Sequence, residues 1–264
     1  MRSAIDDIAF LANSANRVAV LRSIEDGPHS RHVILEETDV SRVTLGRILD
    51  ELEEHCWIVR RGQVCDITPI GAWVLEAFNS FEAMMESARG LERVVQWFPP
   101  EGFGFHISRL ADAEITLVDR ADATAPIATI AQQFDTGGDI RAFSFAITSQ
   151  TLDACWRNVM DGHITWQWVF TSSVLSVLKA NPTMAEQSRE MLESGRAHYR
   201  TVEGEIPYVV VLTDDCVNIR LADDGGAATA LLQVDEPAVR GWADRMFRQY
   251  WDAGTPVGPE TFTG

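Results

Sequence analysis

Seven polar side chains, rich in arginine, are concentrated between residues 41 and 63. Four of them fall within two turns of one predicted helix, and three surround a glycine at the tip of a predicted hairpin. Arginine matches guanine O6 and N7 with two hydrogen bonds, and hydroxyl and amide groups bind phosphates or bases. We therefore predict contacts to double-stranded DNA from Ser41, Arg42, Thr44, Arg47, Arg60, Arg61 and Gln63.

A second group of candidate binding residues lies in the C-terminal half, on predicted strands and at one strand end. Its members are Arg141, Trp166, Thr171, Ser172, Ser173 and Arg200. Hydroxyls and free N–H groups at a helix start suit an anionic or polar ligand, although helix capping explains the same three hydroxyls. Trp166 and Trp168 share one strand face, so they either pack in the core or line a pocket. A charge within a strand requires a partner or water, and for the two arginines an anion would serve.

The arginine-rich segment is embedded in a pattern of short helices followed by one hairpin. Ser41 is a suitable N-cap for a helix that runs to about His55, with apolar positions at 43, 45, 48, 49 and 52. The other predicted elements are helices near 5–12, 18–24 and 32–36, a hairpin over 57–68 and a helix over 70–96. This order is that of a winged helix-turn-helix, whose second helix enters the major groove of DNA.

Charge supports a second interpretation of the same segment, as a protein-interaction domain or a solvated charged helix. Residues 1–70 contain eight arginines, no lysine and twelve acidic residues, whereas most DNA-binding domains are basic. The acidic residues cluster away from the proposed reading face, at 51, 53 and 54 and at the start of the first helix. At molar salt the Debye length is about 3 Å, so acidic side chains away from the interface repel DNA only weakly. Binding would then depend on direct contacts between side chains and DNA.

Beyond the Pro- and Gly-rich segment 98–104, strands and helices alternate. Predicted strands are 140–147, 164–170, 198–202, 206–213, 215–221 and 227–234, and predicted helices are 126–135, 149–161, 172–180, 183–195 and 235–252. Turn residues between the last three strands predict an antiparallel meander. We predict a two-domain chain of mixed α+β and α/β class: a winged helix-turn-helix domain over 1–70, a long linker and dimerisation helix over 71–97, and an effector-sensing α/β sandwich over 98–258.

Two stretches, SANRVAVLRSIEDGPHSR and SRVTLGRILDELEEHCWIVRRGQVCDITPIG, resemble the helix-turn-helix transcriptional regulators abundant in haloarchaea. The motifs of that group are a leading SANR helix, an S-R-x-T-L-x-R-x-L recognition helix and a GW-I-x-R-x-G-x-Y-x-L-T-x-x-G wing. Cys56 stands where glycine is usual and Cys65 where an aromatic residue is usual. The segments RLADAEIT, IRAFSFAI, VFTSSVL, GEIPYVVVLTDD and WADRMFRQYWDAGTPV resemble the effector domain of the archaeal methanogenesis-filament regulator family. This resemblance implies a sensor domain with a phospholipase-D-like shape.

Motifs of the common enzyme classes are missing from the sequence. Phospholipase D chemistry needs His-x-Lys, and no histidine stands two residues before Lys179, the single lysine of the chain. The sequence has no GxSxG, HExxH or P-loop motif, so we predict neither enzyme activity nor a cofactor, with an unrecognised enzyme as the less favoured alternative. His29 and His32 have no third ligand nearby, so we predict no metal site. Cys56 and Cys65 are predicted to be reduced thiols, with a redox pair as the alternative.

The chain has 264 residues and a net charge of −17, and every basic residue except Lys179 is arginine. This composition fits a protein of a high-salt cytoplasm, although a high-GC genome also favours arginine. The sequence has no run of 18 apolar residues and carries acidic residues near its start, so we predict a cytoplasmic protein without membrane contact. Together these features predict a homodimeric, sequence-specific transcriptional regulator that binds double-stranded DNA and a small anionic or polar metabolite. A winged-helix adaptor without a ligand is the alternative.

Overall fold

The structure is a computed structural model that describes residues 3–99, 102–118, 124–223 and 225–263. The chain divides into two units, Met1–Glu86 and Ser87–Gly264. The division lies within a helix of 24 residues, Pro69–Glu92, and so precedes the segment 98–104 at which the sequence predicted the boundary. Leu91 and Val94 account for this difference, because both are buried among the hydrophobic side chains of the second unit.

The first unit consists of helices and a small antiparallel sheet. Its helices are α1 (Ala4–Ala12), α2 (Ala15–Arg22), α3 (Arg31–Glu37), α4 (Arg42–Glu54) and α5 (Pro69–Glu92), and its strands are β1 (His29–Ser30), β2 (Ile58–Arg61) and β3 (Val64–Ile67). The strand order is β1-β3-β2. On α4, the apolar positions Leu45, Ile48, Leu49 and Leu52 are buried as the periodicity predicted. The first unit is therefore a winged helix-turn-helix, with α4 as the second helix of the motif and β2–β3 as the wing.

Thr68 and Gly71 join the wing to α5. The Thr68 hydroxyl accepts the N–H of Gly71 at 3.0 Å and donates to the carbonyl of Cys56 at 2.7 Å. The Thr68 N–H donates to the carbonyl of Trp57 at 2.9 Å. A Cβ atom at position 71 would lie 1.9 Å from the Trp57 carbonyl oxygen, so only glycine permits this approach. The T-x-x-G motif therefore sets the position of α5 against the base of the wing.

The second unit is built on one mixed sheet. Its strands are β4 (Glu114–Leu117), β5 (Gly138–Ser144), β6 (Ile164–Thr171), β7 (Ala197–Val202), β8 (Val209–Leu212), β9 (Val217–Ala222), β10 (Ala228–Val234) and β11 (Thr255–Val257), in the order β11-β7-β6-β5-β8-β9-β10-β4. Strands β5, β6 and β7 are parallel, and β8–β10 form the predicted antiparallel meander. The sequence analysis missed β4 and β11, which are the two edge strands and span only four and three residues.

Helices cover both faces of this sheet. They are α6 (Ala125–Gln133), α7 (Ser149–Met160), α8 (Ser172–Ala180), α9 (Pro182–Glu193) and α10 (Pro237–Ala253), with short 3-10 helices at Val95–Trp97, Ile107–Leu110, Phe134–Thr136 and Pro259–Phe262. Side chains from α6–α9 share one buried cluster with Trp166 and Trp168 of β6. Side chains of α10 share the other cluster with Phe143 and Val169. The second unit is thus an α/β sandwich, as predicted.

Candidate nucleic-acid interface

The start of α4 presents a hydroxyl pair beside an exposed arginine. Ser41 is the N-cap of α4, and its hydroxyl accepts the N–H of Thr44 at 3.2 Å. The two hydroxyl oxygens lie 2.9 Å apart. The Ser41 hydroxyl therefore caps α4 and the Thr44 hydroxyl is engaged with it, which leaves Thr44 less free to contact a base than its sequence position suggested. Arg42 is exposed and has no side-chain hydrogen bond or ion pair among the residues that the structure describes.

Arg47 and Val43 extend the same outward face of α4. The Arg47 side chain is 67% exposed, and its guanidinium lies 3.6 Å from a Glu51 carboxylate oxygen. Val43 is 86% exposed, although its position in the apolar periodicity predicted burial. An exposed valine between two arginines has the chemistry to contact a thymine methyl group, and the sequence did not predict this exposure. The signal was available, because positions 42, 43, 46 and 47 share one side of a 3.6-residue helix.

The wing carries its exposed polar groups at the tip. Gly62 has φ 68°, a left-handed conformation that closes the turn between β2 and β3. Arg61 and Gln63 flank it and are exposed. The Arg61 guanidinium has no hydrogen-bond or ion-pair partner in the described part of the chain. These two side chains are therefore accessible to solvent, and their predicted contact with DNA stays a prediction.

Arg60, by contrast, is directed at α4. Its Nε donates to Glu53 Oε2 at 2.8 Å, and its Nη1 donates to Asp50 Oδ1 at 2.7 Å. The hydrogen bond from Arg60 holds the pKa of the Glu53 carboxyl below its ordinary value. The structure thus gives Arg60 an internal ion-pair role that holds the wing against α4, where the sequence analysis expected a DNA contact.

A groove of about 350 Å³ connects α3, α4 and the wing. Its polar lining residues are Arg31, His32, Arg42 and Gln63. The backbone N–H of Arg31 donates to the Gln63 carbonyl at 3.3 Å, so β1 and the wing hold the start of α3 beside the start of α4. Arg31 and His32 were not among the predicted DNA contacts. Their place beside Arg42 was hidden in the sequence because it depends on β1, a strand of two residues.

The candidate effector residues of the second unit do not converge on one site. Arg141 pairs with Asp244 at 2.5 Å. Arg200 donates to the carbonyls of Trp251 and Gly254 at 2.7 and 3.2 Å. By register both arginines lie on the α10 face of the sheet, whereas Trp166 lies on the opposite face. Internal partners therefore satisfy the two arginines that were expected to bind an anion.

Thr171, Ser172 and Ser173 line a separate pocket of about 510 Å³ at the end of β6. The hydroxyls of Thr171 and Ser173 are 2.7 Å apart, and Thr171 makes no side-chain capping bond. Acidic side chains at 203, 205 and 223 line the same pocket. These carboxylates disfavour an anion, so the expectation of an anionic ligand at these three hydroxyls is not supported.

The structure shows neither a disulfide between Cys56 and Cys65 nor a metal-binding cluster at the described histidines. All four cysteines are free; Cys56 is exposed and Cys65 is buried. His29 Nδ1 contacts the Ser23 carbonyl, and His32 lies 3.4 Å from Glu36. Over the described residues, no group of three or more His, Cys, Asp or Glu side chains is placed to hold a metal ion. In the same residues, no helix combines the length and apolarity that crossing a membrane requires.

Two family profiles match the chain. The HVO_A0261 N-terminal domain matches residues 5–90, and the middle domain of the methanogenesis regulatory protein FilR1 matches residues 123–253. No curated protein matches the chain significantly.

Several solved structures are distantly similar. The archaeal chromatin protein TrmBL2 is 14% identical with a TM-score of 0.44, over 96% of this chain and 99% of its own. Nuc of Salmonella typhimurium, a phospholipase D family member, is 13% identical with a TM-score of 0.43, over 55% of this chain and 97% of its own. NucT of Helicobacter pylori is 10% identical with a TM-score of 0.44, over 55% of this chain and 98% of its own.

The two profiles fall on the two structural units in the order that the sequence motifs predicted. The first covers the winged helix-turn-helix and most of α5, and the second covers α6 through α10. The resemblance stated from the sequence is therefore confirmed at the level of its two domains: residues 5–90 match the HVO_A0261 N-terminal domain, and residues 123–253 match the FilR1 middle domain.

Proposed function

We propose that the chain is a sequence-specific DNA-binding transcriptional regulator without enzyme activity, acting in the cytoplasm. The observation that carries the proposal is the unpaired, exposed arginine pair at the start of α4 and at the wing tip, Arg42 and Arg61. A winged helix presents these same two places to DNA. The match to the middle domain of a methanogenesis regulatory protein supports a regulatory role.

In this proposal, different interface residues contact different parts of the DNA. Arg42 and Arg47 read base edges in the major groove, and Val43 contacts a thymine methyl group. Arg61 and Gln63 contact phosphate or the minor groove, and Arg31 binds phosphate from the groove beside α3. Ser41 and Thr44 fix the first turn of α4 and offer phosphate contacts through their hydroxyls.

We further propose that the regulator is a homodimer. The single chain leaves a row of large apolar side chains exposed on α5, and α1 continues it with Ile5 at 71% and Ile8 at 45%. On α5 the exposed residues are Ile70, Trp73, Phe81, Met84 and Met85. A cavity of about 450 Å³ lies between the two helices and is lined mainly by apolar side chains. Exposed apolar patches of this kind mark interaction sites, and a second copy of the chain would bury this one.

The second unit is proposed to sense a small molecule and to act on DNA binding through α5. This helix begins at the wing and ends among buried side chains of the second unit, so it belongs physically to both. Ligand binding that moves the end of α5 would change the spacing of the two recognition helices in a dimer. Equal operator affinity with and without the ligand would contradict this mechanism.

The proposal is tested by selecting DNA sequences from a random pool with the full chain and measuring binding by fluorescence anisotropy. Arg42→Ala and Arg47→Ala are each expected to weaken specific binding by about 1–3 kcal/mol. Arg22→Ala is the matched control, because Arg22 pairs with Glu82 at 2.6 Å and is assigned no DNA contact. No enriched sequence, or unchanged binding in both variants, would overturn the proposal in favour of the adaptor interpretation.

A further inference from the structure

Arg220 of β9 is buried in the second unit, and no compensating charge lies beside it among the residues that the structure describes. Its side chain belongs to a residue that is 7% exposed, and its Nε and Nη2 are buried with no hydrogen-bond partner. The described residues provide only one aromatic contact, with the guanidinium carbon 5.7 Å from the ring centre of Phe145. Burial lowers the pKa of the guanidinium, but arginine remains charged in proteins. Since a buried unpaired charge is strongly unfavourable, a missing anion is the simplest explanation of this arrangement.

A second orphaned donor lines the same cavity. Trp166 is 2% exposed, and its buried Nε1–H has no hydrogen-bond partner. The neighbouring Trp168 differs, because its Nε1–H donates to Ser144 Oγ at 2.9 Å. Arg220 and Trp166 both line one cavity, which lies on the sheet face covered by α6 and α7. Two unsatisfied donors on side chains that line one cavity indicate a site built for an acceptor.

The rest of the cavity determines what kind of acceptor fits. Its walls are mainly aliphatic, with Ile130 from α6 and Val209 and Val211 from β8, and its lining includes no acidic side chain of the described residues. The ligand-free volume is about 30 Å³, close to that of one water molecule. A phosphate ester or a sugar would require a much larger and more polar space. A carboxylate with a short hydrocarbon chain needs only shifts of side chains, which are common when ligands bind.

We propose that this cavity binds a short-chain aliphatic monocarboxylate, with its carboxylate on Arg220 and its hydrocarbon among the α6 and β8 side chains. A guanidinium binds a carboxylate through two parallel hydrogen bonds, which are among the strongest in proteins. The Trp166 N–H donates to a water molecule that is bound together with the ligand. The regulatory significance of this site rests on the proposed sensing role, whereas carboxylate binding itself does not, because it is measured in the absence of DNA.

Arg220 was not predicted as a binding residue, although the residue alternation in its strand indicates which face of the sheet it lies on. The alternation of Val217, Ile219 and Leu221 assigns Asn218 and Arg220 to one face of β9. The sheet register places that face opposite Val211 and Val209. The burial of this face depends on the packing of α6 against it and on the pairing of β5 with β8, which the sequence did not specify.

The test is thermal unfolding of the full chain in acetate, propionate and butyrate, compared with chloride and phosphate at equal ionic strength. The carboxylates are expected to raise Tm by about 5 °C at a hundredfold excess over Kd, and chloride and phosphate are expected to give little change. Arg220→Met should abolish the rise, and Trp166→Phe should weaken binding about tenfold in a titration followed by calorimetry. Arg157→Met removes an exposed charge from α7 and should keep the full response.

Ligand-free Arg220→Met is expected to melt at or above the temperature of the unmodified chain, because the substitution removes an unpaired buried charge. The melting temperature of the ligand-free variant therefore distinguishes a failure to fold from a failure to bind the carboxylate. No rise with any carboxylate, an equal rise with chloride, or a rise that persists in Arg220→Met would overturn the proposal. Carboxylate binding that leaves DNA affinity unchanged would support the site and contradict only the proposed sensing role.

Discussion

Replacing Arg60 with methionine separates the two roles that a wing arginine can have. Arg60 is held by Glu53 and Asp50 of α4, through the 2.8 and 2.7 Å hydrogen bonds and a further contact from Nη2 to Glu53. Methionine keeps much of the hydrocarbon stem and removes the guanidinium. If Arg60 acts by holding the wing, the variant loses stability first and DNA affinity only as a consequence.

The magnitude follows from exposure of the three side chains. The Arg60 side chain is 27% exposed, Glu53 38% and Asp50 64%. Exposed ion pairs contribute about 0.2–1 kcal/mol, so the Asp50 contact is expected to add little. The contacts to Glu53 are better shielded but still partly screened by solvent. We expect Arg60→Met to lower the free energy of unfolding of the first unit by about 1 kcal/mol.

The pH dependence of this loss has a defined sign. Glu53 has a lowered pKa in the folded chain, chiefly because Arg60 donates to it. Its stabilisation is complete above the pKa of an unfolded glutamate, about 4.3, and is lost as pH falls through the lowered folded-state value. The stability difference between the unmodified chain and Arg60→Met should therefore be constant at neutral pH and shrink below about pH 4.

Urea denaturation followed by tryptophan fluorescence, beside anisotropy titrations with the selected DNA, measures both effects. Arg61→Met is the matched control: its guanidinium is exposed and unpaired among the described residues, so DNA affinity should fall without loss of stability. If Arg60→Met instead keeps full stability and weakens DNA binding more than Arg61→Met does, Arg60 contacts DNA directly and the structural assignment is wrong.

Three further predictions concern the same unit. Gly71→Ala should lower the free energy of unfolding by about 3 kcal/mol in urea denaturation, because its Cβ would clash with the Trp57 carbonyl. The control is Gly90→Ala in the same helix, whose Cβ would contact nothing, so it should leave stability unchanged or raise it. Equal effects of the two substitutions would contradict the close approach at Gly71. Cys56→Gly should stabilise the unit by about 0.5 kcal/mol, because Cys56 has φ 58°, and Cys56→Ala should give no such gain in the same assay. The logarithm of the DNA association constant of a dimer should fall with the logarithm of salt concentration with a slope of about −4, because Arg31 and Arg61 are the two arginines of each chain that are assigned to phosphate; a slope near zero would exclude these phosphate contacts.

The first unit was largely predictable from its sequence because local signals determine it. The apolar period of α4, the Ser41 cap and the glycine at the wing tip each act within a few residues. Val43 was misassigned because periodicity cannot say where a buried stripe ends. Strand β1 was missed because its two residues are ordered by pairing with Val64 and Cys65, which no local pattern shows.

The candidate sites were less predictable because they depend on which charges find partners. Arg60, Arg141 and Arg200 each looked available in the sequence, and each is satisfied by residues that pack against it. Arg220 looked like an ordinary strand residue, yet its buried Nε and Nη2 have no hydrogen-bond partner among the described residues. Strand order and helix placement decide these outcomes, and both involve residues far apart in the chain.

Internal pairing also explains how an acidic domain can present a cationic face. Three arginines of the first unit lie within 3 Å of a carboxylate oxygen. Arg17 pairs with Glu51, Arg22 pairs with Glu82, and Arg60 pairs with both Asp50 and Glu53. Arg31, Arg42 and Arg61 have no such partner among the described residues, and all three belong to α3, α4 or the wing. The net charge of the domain therefore says little about the interface, because several of its carboxylates neutralise arginines that are assigned no DNA contact. A face of few arginines binds through short, directed contacts, which high salt weakens far less than it weakens long-range attraction.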